Sequence, residues 1–161
     1  MSDGDTKKAR QIMDEIVYVT LATASKKGKP WNTPTYAAFD KEYNFFWHSG
    51  KYAQHAQNIK ENSDVFLVVY DSTKQWGEGK AVYIRAKAVE LTDKEELAKA
   101  LEYLGKRTGE EMGQVEKFLG TAPRRVYKAV PKQMWMNKNT EIDGRRVDIR
   151  VELDLLHKKS K

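Results

Sequence analysis

The chain has 161 residues, about one domain's worth, enough to bury roughly two-thirds of the surface that its unfolded form exposes. Its 29 Lys and Arg against 23 Asp and Glu give a net charge of +6. Because both signs are interspersed, the composition favours a mildly basic surface over the basic stripe of a nucleic-acid-binding protein. The absence of Cys excludes disulfides, thiolate metal sites, iron–sulfur clusters and cysteine nucleophiles.

Neither a signal peptide nor a membrane-spanning segment is predicted. The N-terminal residues are too charged for the apolar part of a signal peptide, and no apolar run approaches the length of a transmembrane helix. We therefore expect a cytoplasmic protein with a single domain over residues 1–161 that binds neither membranes nor nucleic acid.

The first part of the chain predicts one helix followed by three strands. Apolar residues recur at three- and four-residue steps in residues 5–16, as in an amphipathic helix. β-Branched and aromatic residues then fill residues 18–23 and 31–39 on either side of a turn rich in Lys, Gly and Pro, which predicts a hairpin. A third strand at residues 43–47 completes a meander.

Helical and extended segments alternate in the middle of the chain. A short helix is predicted from about Ala53 to Asn62, followed by an apolar strand at residues 65–70 that is typical of a central strand. After a glycine-containing loop at residues 72–80, residues 81–91 alternate as a long strand.

A helical insertion is predicted at about residues 93–120. Thr92 or Asp93 can cap a helix that runs to about Leu104, and a second short helix is predicted at residues 110–119. The last third returns to strands, at residues 125–130, 133–136 and 146–153, and ends in a basic tail at residues 157–161. Six or seven hairpin-linked strands with helices between them predict an α+β or closed-barrel fold, not a doubly wound sheet.

Common catalytic and nucleotide-binding motifs are absent from the sequence. There is no Gly-x-Gly-x-x-Gly fingerprint, no phosphate loop ending in Gly-Lys-Ser/Thr and no Gly-x-Ser-x-Gly elbow. The three His, at positions 48, 55 and 157, are poorly spaced for a metal site, so no metal is predicted.

One junction, between the third strand and the short helix, can bind an anion. Unpaired N–H groups and the helix dipole at such a helix start favour a phosphate, and Ser49, Lys51 and His55 can add side-chain donors. The same residues also fit an ordinary helix start with a solvated Lys, so the spacing alone leaves both interpretations open.

The sequence resembles the N-terminal core of the pyridoxamine 5'-phosphate oxidase-like family. Five segments in order carry the resemblance: residues 19–23, 28–34, 45–49, 53–59 and 65–71. It continues through most of residues 15–153. The resemblance implies a mainly β, six-stranded antiparallel split β-barrel with peripheral helices, which forms a homodimer and holds FMN in clefts between the subunits.

The resemblance also assigns residues to the cofactor. It implies that one group on the second strand meets the flavin ring and ribityl chain, that a second group surrounds the phosphate, and that two residues come from the partner subunit. These are, respectively, Asn32, Thr33, Pro34 and Thr35; Ser49, Gln54 and His55; and Trp135 and Arg150. His48 and Lys51 lie in the same strand-to-helix junction, and on that placement they are also predicted to bind the cofactor. Trp76 lies in a glycine-containing loop and is predicted either to cover the partner's flavin or to pack on the surface.

Several positions depart from the family pattern. Asn32 and Ala37 stand where the oxidases carry an Arg and a Lys, and Gln54 and His55 replace an Arg-Lys pair. Each charge-assisted contact is worth about 1.5–3 kcal/mol, so weaker cofactor binding is expected. Asp148 replaces the His of the Arg-x-His motif that holds pyridoxal phosphate, which argues against pyridoxamine phosphate as the substrate.

The sequence therefore predicts an FMN-dependent oxidoreductase acting on a small molecule, with NAD(P)H as a candidate electron donor. Three alternatives stay open. Deazaflavin F420 or haem can replace FMN, the protein can bind flavin without catalysis or as a redox sensor, or the basic barrel can bind nucleic acid.

Overall fold

The computed structural model describes residues 3–156, so the predicted basic tail at 157–161 lies outside the described residues. Three α-helices are present: α1 Asp3–Glu15, α2 Gln54–Glu61 and α3 Lys94–Thr108, with a 3₁₀ helix at Val115–Phe118. The strands are β1 Tyr18–Ala24, β2 Pro30–Tyr36, β3 Ala38–Phe39, β4 Phe45–Gly50, β5 Asp64–Tyr70, β6 Ala81–Glu90, β7 Arg124–Ile142 and β8 Arg145–Glu152.

The strands form a single antiparallel sheet that closes on itself. Their order is β2-β1-β5-β6-β7-β4-β3, and β8 pairs with β7 alone. β2 and β3 stand at opposite ends of this order but are joined in the chain at Ala37, whose N–H donates to the Val17 carbonyl at 3.0 Å. Counted as one interrupted strand, β2 and β3 complete a six-stranded split barrel, which confirms the predicted fold class.

Strand alternation separates the barrel interior from its outside. Leu21 of β1, Leu67 of β5 and Ile84 of β6 are paired across the sheet and fully buried. Ile12 of α1 and Ile59 of α2 join this core, so the two helices cover the barrel. The interior therefore supplies most of the apolar burial that holds the domain together.

A second apolar cluster lies between α3 and the outside of the barrel. Leu97 and Leu104 of α3 pack with Phe46 of β4, Val126 of β7 and Phe118 of the 3₁₀ helix. Because Phe46 alternates with Trp47 along β4, one strand serves both clusters.

Two predicted elements differ from the observed ones. The strands predicted at residues 125–130 and 133–136 are parts of the single strand β7, because Pro131 lies at a register shift opposite Arg85 and Ala86, where a missing N–H is tolerated. The helix predicted at residues 110–119 was wrong, since only the 3₁₀ helix Val115–Phe118 forms there. Gly109 and Gly113, with φ of 75° and 84°, adopt backbone conformations that end an α-helix.

The cap of α3 gives a direct stability test. Asp93 accepts hydrogen bonds from the N–H groups of Glu95 (3.1 Å) and Glu96 (2.9 Å). We expect Asp93→Ala to lower the free energy of unfolding by about 1 kcal/mol, measured by urea denaturation, because two first-turn N–H groups lose their acceptor. Thr92→Ala is the control, and equal stability of the two variants would contradict the capping role.

Candidate functional site

The start of α2 offers unpaired backbone donors. Ala53 occupies the N-cap without a side-chain hydrogen bond, and the first turn contains no acidic residue. Among the described residues, the N–H groups of Gln54, His55 and Ala56 have no hydrogen-bond acceptor. This end of the helix therefore carries an unneutralised partial positive charge suited to an anion.

The turn that leads into α2 is fixed by its own hydrogen bonds. The Lys51 N–H donates to the Pro123 carbonyl at 3.0 Å, and the Gln57 amide donates to the Lys51 carbonyl at 2.6 Å. The Lys51 Nζ donates to the Thr121 carbonyl at 3.3 Å and lies 5.1 Å from the centre of the Tyr52 ring. The Lys51 ammonium thus lies beside the start of α2. To contact a ligand there, it must break or share its hydrogen bond to the Thr121 carbonyl.

His48 and Ser49 follow each other on β4 and so point to opposite faces of the sheet. The His48 ring packs 6.0 Å from that of Phe118, on the side of the 3₁₀ helix. Burial, and then the nearby Arg124 charge, lower the His48 pKa below its usual range. The structure therefore places Ser49, but not the neutral His48 imidazole, on the interior face of β4.

His55 is the most enclosed of the predicted phosphate ligands. It is 8% exposed, and its Nε2 is buried without a hydrogen-bond partner. Burial lowers its pKa, so the ring is neutral at neutral pH. Because protein atoms cover Nε2, this nitrogen can contact a bound anion only after the His55 side chain moves.

Side-chain hydrogen bonds attach α2 to the first hairpin. The Gln54 amide donates to Asn58 Oδ1 at 2.9 Å, and the Asn58 amide donates to the Thr23 hydroxyl at 3.0 Å. The Thr23 hydroxyl in turn faces the Trp31 carbonyl at 3.5 Å. The start of α2, here called the phosphate corner and consisting of Ser49, Lys51, Gln54 and His55, is therefore connected through hydrogen bonds to the predicted flavin strand β2.

Alternation along β2 divides the four residues predicted to contact flavin. Asn32 and Pro34 are exposed on one face, whereas Thr33 and Thr35 are half-buried on the other. Since β2 pairs only with β1, one edge of its backbone is unpaired among the described strands. A ligand against one face meets the side chains of one pair only, but a ligand along the edge reaches the backbone of all four.

Trp135 shares a face of the sheet with Asn32 and Pro34. This surface, here called the outer sheet face, consists of Asn32, Pro34, Thr20, Ala22, Phe66, Val68, Tyr83 and Trp135, which are in register across β2, β1, β5, β6 and β7. Along this face, β1, β5 and β6 lie between β2 and β7, so Pro34 and Trp135 stand on strands that are not neighbours.

Aromatic contacts organise the far end of this face. The Trp135 and Phe66 rings are stacked with centres 6.3 Å apart. The Arg150 guanidinium lies 4.1 Å from the centre of the Tyr83 ring. Sequence reasoning identified Trp135 and Arg150 but missed Phe66 and Tyr83, whose signal is an aromatic residue at an outward position of a strand.

The loop that carries Trp76 is anchored at its base and open at its tip. Asn137 donates to the Gly79 carbonyl at 3.2 Å and accepts from the Ala81 N–H at 2.7 Å, so it holds both sides of the loop's end. Trp76 itself is 99% exposed. Its surroundings within one chain thus leave both predicted roles open.

Two positions that depart from the family pattern, Ala37 and Asp148, differ in burial. Ala37 is buried, so it cannot replace a phosphate-binding Lys. Asp148 is exposed on β8. A cavity of about 710 Å³ lies between α3 and residues 111–116 and is lined by none of the predicted site residues. Within residues 3–156, no helix is long and apolar enough to span a membrane, and no group of three metal-binding side chains forms.

The histidine environment gives a pH prediction. Because the folded-state pKa of His55 lies below the ordinary value of 6.5, the unfolded chain binds the proton more tightly, and stability is lost as the pH falls below that value. We expect His55→Gln to reduce the loss of unfolding free energy between about pH 7.5 and about pH 5.5, measured by urea denaturation. A His55 imidazole that titrates at or above the ordinary value by NMR would contradict this environment.

Residues 5–138 match the family described as pyridoxamine 5'-phosphate oxidase. No curated protein matches the chain.

Solved structures share the fold at low sequence identity. The haem storage protein HutZ from Vibrio cholerae is 20% identical with a TM-score of 0.69, covering 81% of this chain and 92% of its own. A protein titled as a putative 5-nitroimidazole antibiotic resistance protein from Bacteroides thetaiotaomicron is 16% identical with a TM-score of 0.68, covering 82% of each chain. An F420 reductase is 20% identical with a TM-score of 0.57, covering 78% of this chain and 94% of its own.

Proposed function

The chain belongs to the pyridoxamine 5'-phosphate oxidase family, and on that premise we propose that it is an FMN-binding oxidoreductase whose cofactor lies between two subunits. Bound FMN supplies the hydride or electron transfer chemistry. The residues of the chain bind the cofactor, orient it and limit access of water.

The phosphate of FMN is proposed to bind at the start of α2. The N–H groups of Gln54 and His55 have no acceptor there, and Ser49 and Lys51 stand on the segment that leads into the helix. This is the chemistry that a dianionic phosphate requires: backbone donors, a hydroxyl, a cation and the positive end of a helix. The flavin ring and ribityl chain then extend along β2.

The outer sheet face supports the proposal of a homodimer, because it carries both residues of the predicted flavin strand and Trp135, which is predicted to reach the partner's flavin. Its β2 end bears Asn32 and Pro34, and its β7 end bears Trp135, four strands along the sheet. An isologous dimer sets one end of this face against the other end of the partner's face. The same pairing would bring Trp135 and Arg150 of the partner to the flavin strand.

The proposed site is poor in cations. Four positions that are Arg or Lys in the oxidases are Asn32, Ala37, Gln54 and His55 here, and Ala37 is buried while the His55 ring is neutral. We infer a more readily dissociated FMN, and a small-molecule substrate other than pyridoxamine 5'-phosphate, with NAD(P)H as the candidate electron donor. A cytoplasmic location is proposed with this activity.

A second candidate cofactor is haem. The neutral imidazoles of His48 and His55 are in the protonation state that binds iron. HutZ is described as a haem storage protein and another neighbour as an F420 reductase.

The cofactor can be identified in untagged protein. Absorption spectra and mass measurement of the released cofactor distinguish FMN, F420 and haem. Bleaching of the bound flavin by NADH or NADPH distinguishes an enzyme from a carrier or sensor.

Lys51 tests the phosphate corner. We expect Lys51→Gln to weaken FMN binding about ten-fold, because one charge-assisted hydrogen bond is lost. Quenching of FMN fluorescence by the cofactor-free protein measures the Kd, and Lys41→Gln, on the exposed turn before β4, serves as the matched control. An unchanged Kd for the Lys51 variant would remove the corner from the site.

Phe66 tests the dimer. We expect Phe66→Glu to convert the dimer into a monomer in sedimentation equilibrium and to abolish FMN binding, because a carboxylate would be buried in the paired outer sheet faces. Val89→Glu places the same charge at an exposed position of β6 and should leave the dimer intact. A wild-type monomer that binds FMN would refute the shared site, and circular dichroism verifies that both variants fold.

A further inference from the structure

Arg125 of β7 is a buried cation beside the phosphate corner. It is the one buried Lys or Arg among the residues that the structure describes, with 8% of its surface exposed. In the pairing of β7 with β4 it stands directly opposite Ser49, so the two side chains share the interior face of the sheet. A guanidinium therefore occupies a position adjacent to a residue that is proposed to contact phosphate.

The Arg125 guanidinium is engaged in four hydrogen bonds. Its Nε donates to Oε1 of the partly buried Glu90 carboxylate at 2.9 Å. Its Nη1 donates to the carbonyls of Ala122 at 2.7 Å and Arg124 at 2.8 Å, and its Nη2 donates to the Gly120 carbonyl. Because Glu90 balances its charge and carbonyl oxygens accept its N–H groups, Arg125 is not free to bind phosphate itself.

Two of these acceptors belong to the segment that leads into β7. Residues 120–123, here called the 120–123 loop, are exposed or partly buried, so packing contributes little to the position of the loop. The rigid fork of the guanidinium joins the Gly120 and Ala122 carbonyls to β7. The conformation of the 120–123 loop therefore depends on Arg125.

The other two carbonyls of the 120–123 loop hold Lys51. The Pro123 carbonyl accepts from the Lys51 N–H at 3.0 Å, and the Thr121 carbonyl accepts from the Lys51 Nζ at 3.3 Å. Successive carbonyls of the loop thus bind Arg125 and Lys51 in alternation. A movement of the loop would displace both the main chain that leads into α2 and the Lys51 ammonium.

We propose that Arg125 is a positioning residue for the phosphate corner, because it fixes the 120–123 loop and the loop fixes Lys51. This inference rests on the proposed function, in which Lys51 supplies the cation that contacts the FMN phosphate. Arg125 acts without contacting the cofactor, and Glu90 holds the guanidinium in place through Nε.

Amide hydrogen exchange in the cofactor-free, full-length protein tests the link to Lys51. Arg125→Lys keeps the charge but cannot reproduce the planar fork of donors. We expect the Lys51 amide to exchange about ten-fold faster in this variant, because its acceptor on the loop is no longer held in place. The Ala37 amide, which donates to the Val17 carbonyl elsewhere in the barrel, should keep its rate.

Two exchange results would overturn the proposal. An unchanged rate at Lys51 would show that Arg125 does not fix this residue. Equal acceleration at Lys51 and Ala37 would show a general loss of stability, which is a structural role and not a positioning one.

FMN binding tests whether the effect of Arg125 passes through Lys51. We expect Arg125→Lys to raise the Kd about five-fold, measured by quenching of FMN fluorescence, and to add nothing in the Lys51→Gln background, because the positioned residue is then absent. Arg10→Lys makes the same change at an exposed position of α1 and is the matched control. An unchanged Kd for Arg125→Lys, or effects of the two substitutions that multiply, would overturn the proposal.

The two measurements separate this inference from the proposed function. Absence of FMN binding by the wild-type protein would overturn the proposed function, while the exchange rates would still decide whether Arg125 fixes Lys51. FMN binding by the wild-type protein, together with an unchanged Lys51 exchange rate in Arg125→Lys, would overturn the inference alone. Thermal unfolding followed by circular dichroism verifies that each variant is folded.

Discussion

The register of β1 against its two neighbours is the constraint on which the rest of the molecule depends. Leu21 pairs with Thr33 on one side and with Leu67 on the other, which turns Leu21 and Leu67 into the barrel and Thr20 and Val68 outward. A shift of one residue would exchange the two sets and expose the core. The outer sheet face follows from this register.

The same register is the reason that we propose a site shared by two chains. β2 and β7 present their predicted ligand-binding residues to one continuous face, but the intervening strands hold them apart. The start of α2 is connected to β2 through the hydrogen bonds that join Asn58, Thr23 and Trp31.

Much of the fold could be predicted because its elements carry strong local signals. The apolar run of β5, the alternation of β6 and the cap at Asp93 each specify one structure. Pro131 misled the prediction, because a bulge in the pairing with β6 accommodates it and β7 continues. The site was less accessible to sequence reasoning. Which of Asn32 and Thr33 lies on the outer sheet face depends on the register of β2 against β1, which no local pattern records.

The most direct measurement of the shared cofactor site is FMN binding by mixed dimers. Lys51→Glu damages the phosphate corner and Trp135→Ala removes the aromatic residue that the partner would supply, so we expect each variant alone to bind FMN weakly. When the two are unfolded and refolded together, each heterodimer should contain one intact site. Because random pairing makes about half of all dimers heterodimers, FMN binding should reappear to about half of a site per dimer, averaged over the whole population. No recovery in a mixture that demonstrably forms heterodimers, or wild-type binding by Trp135→Ala alone, would contradict a site built by two subunits.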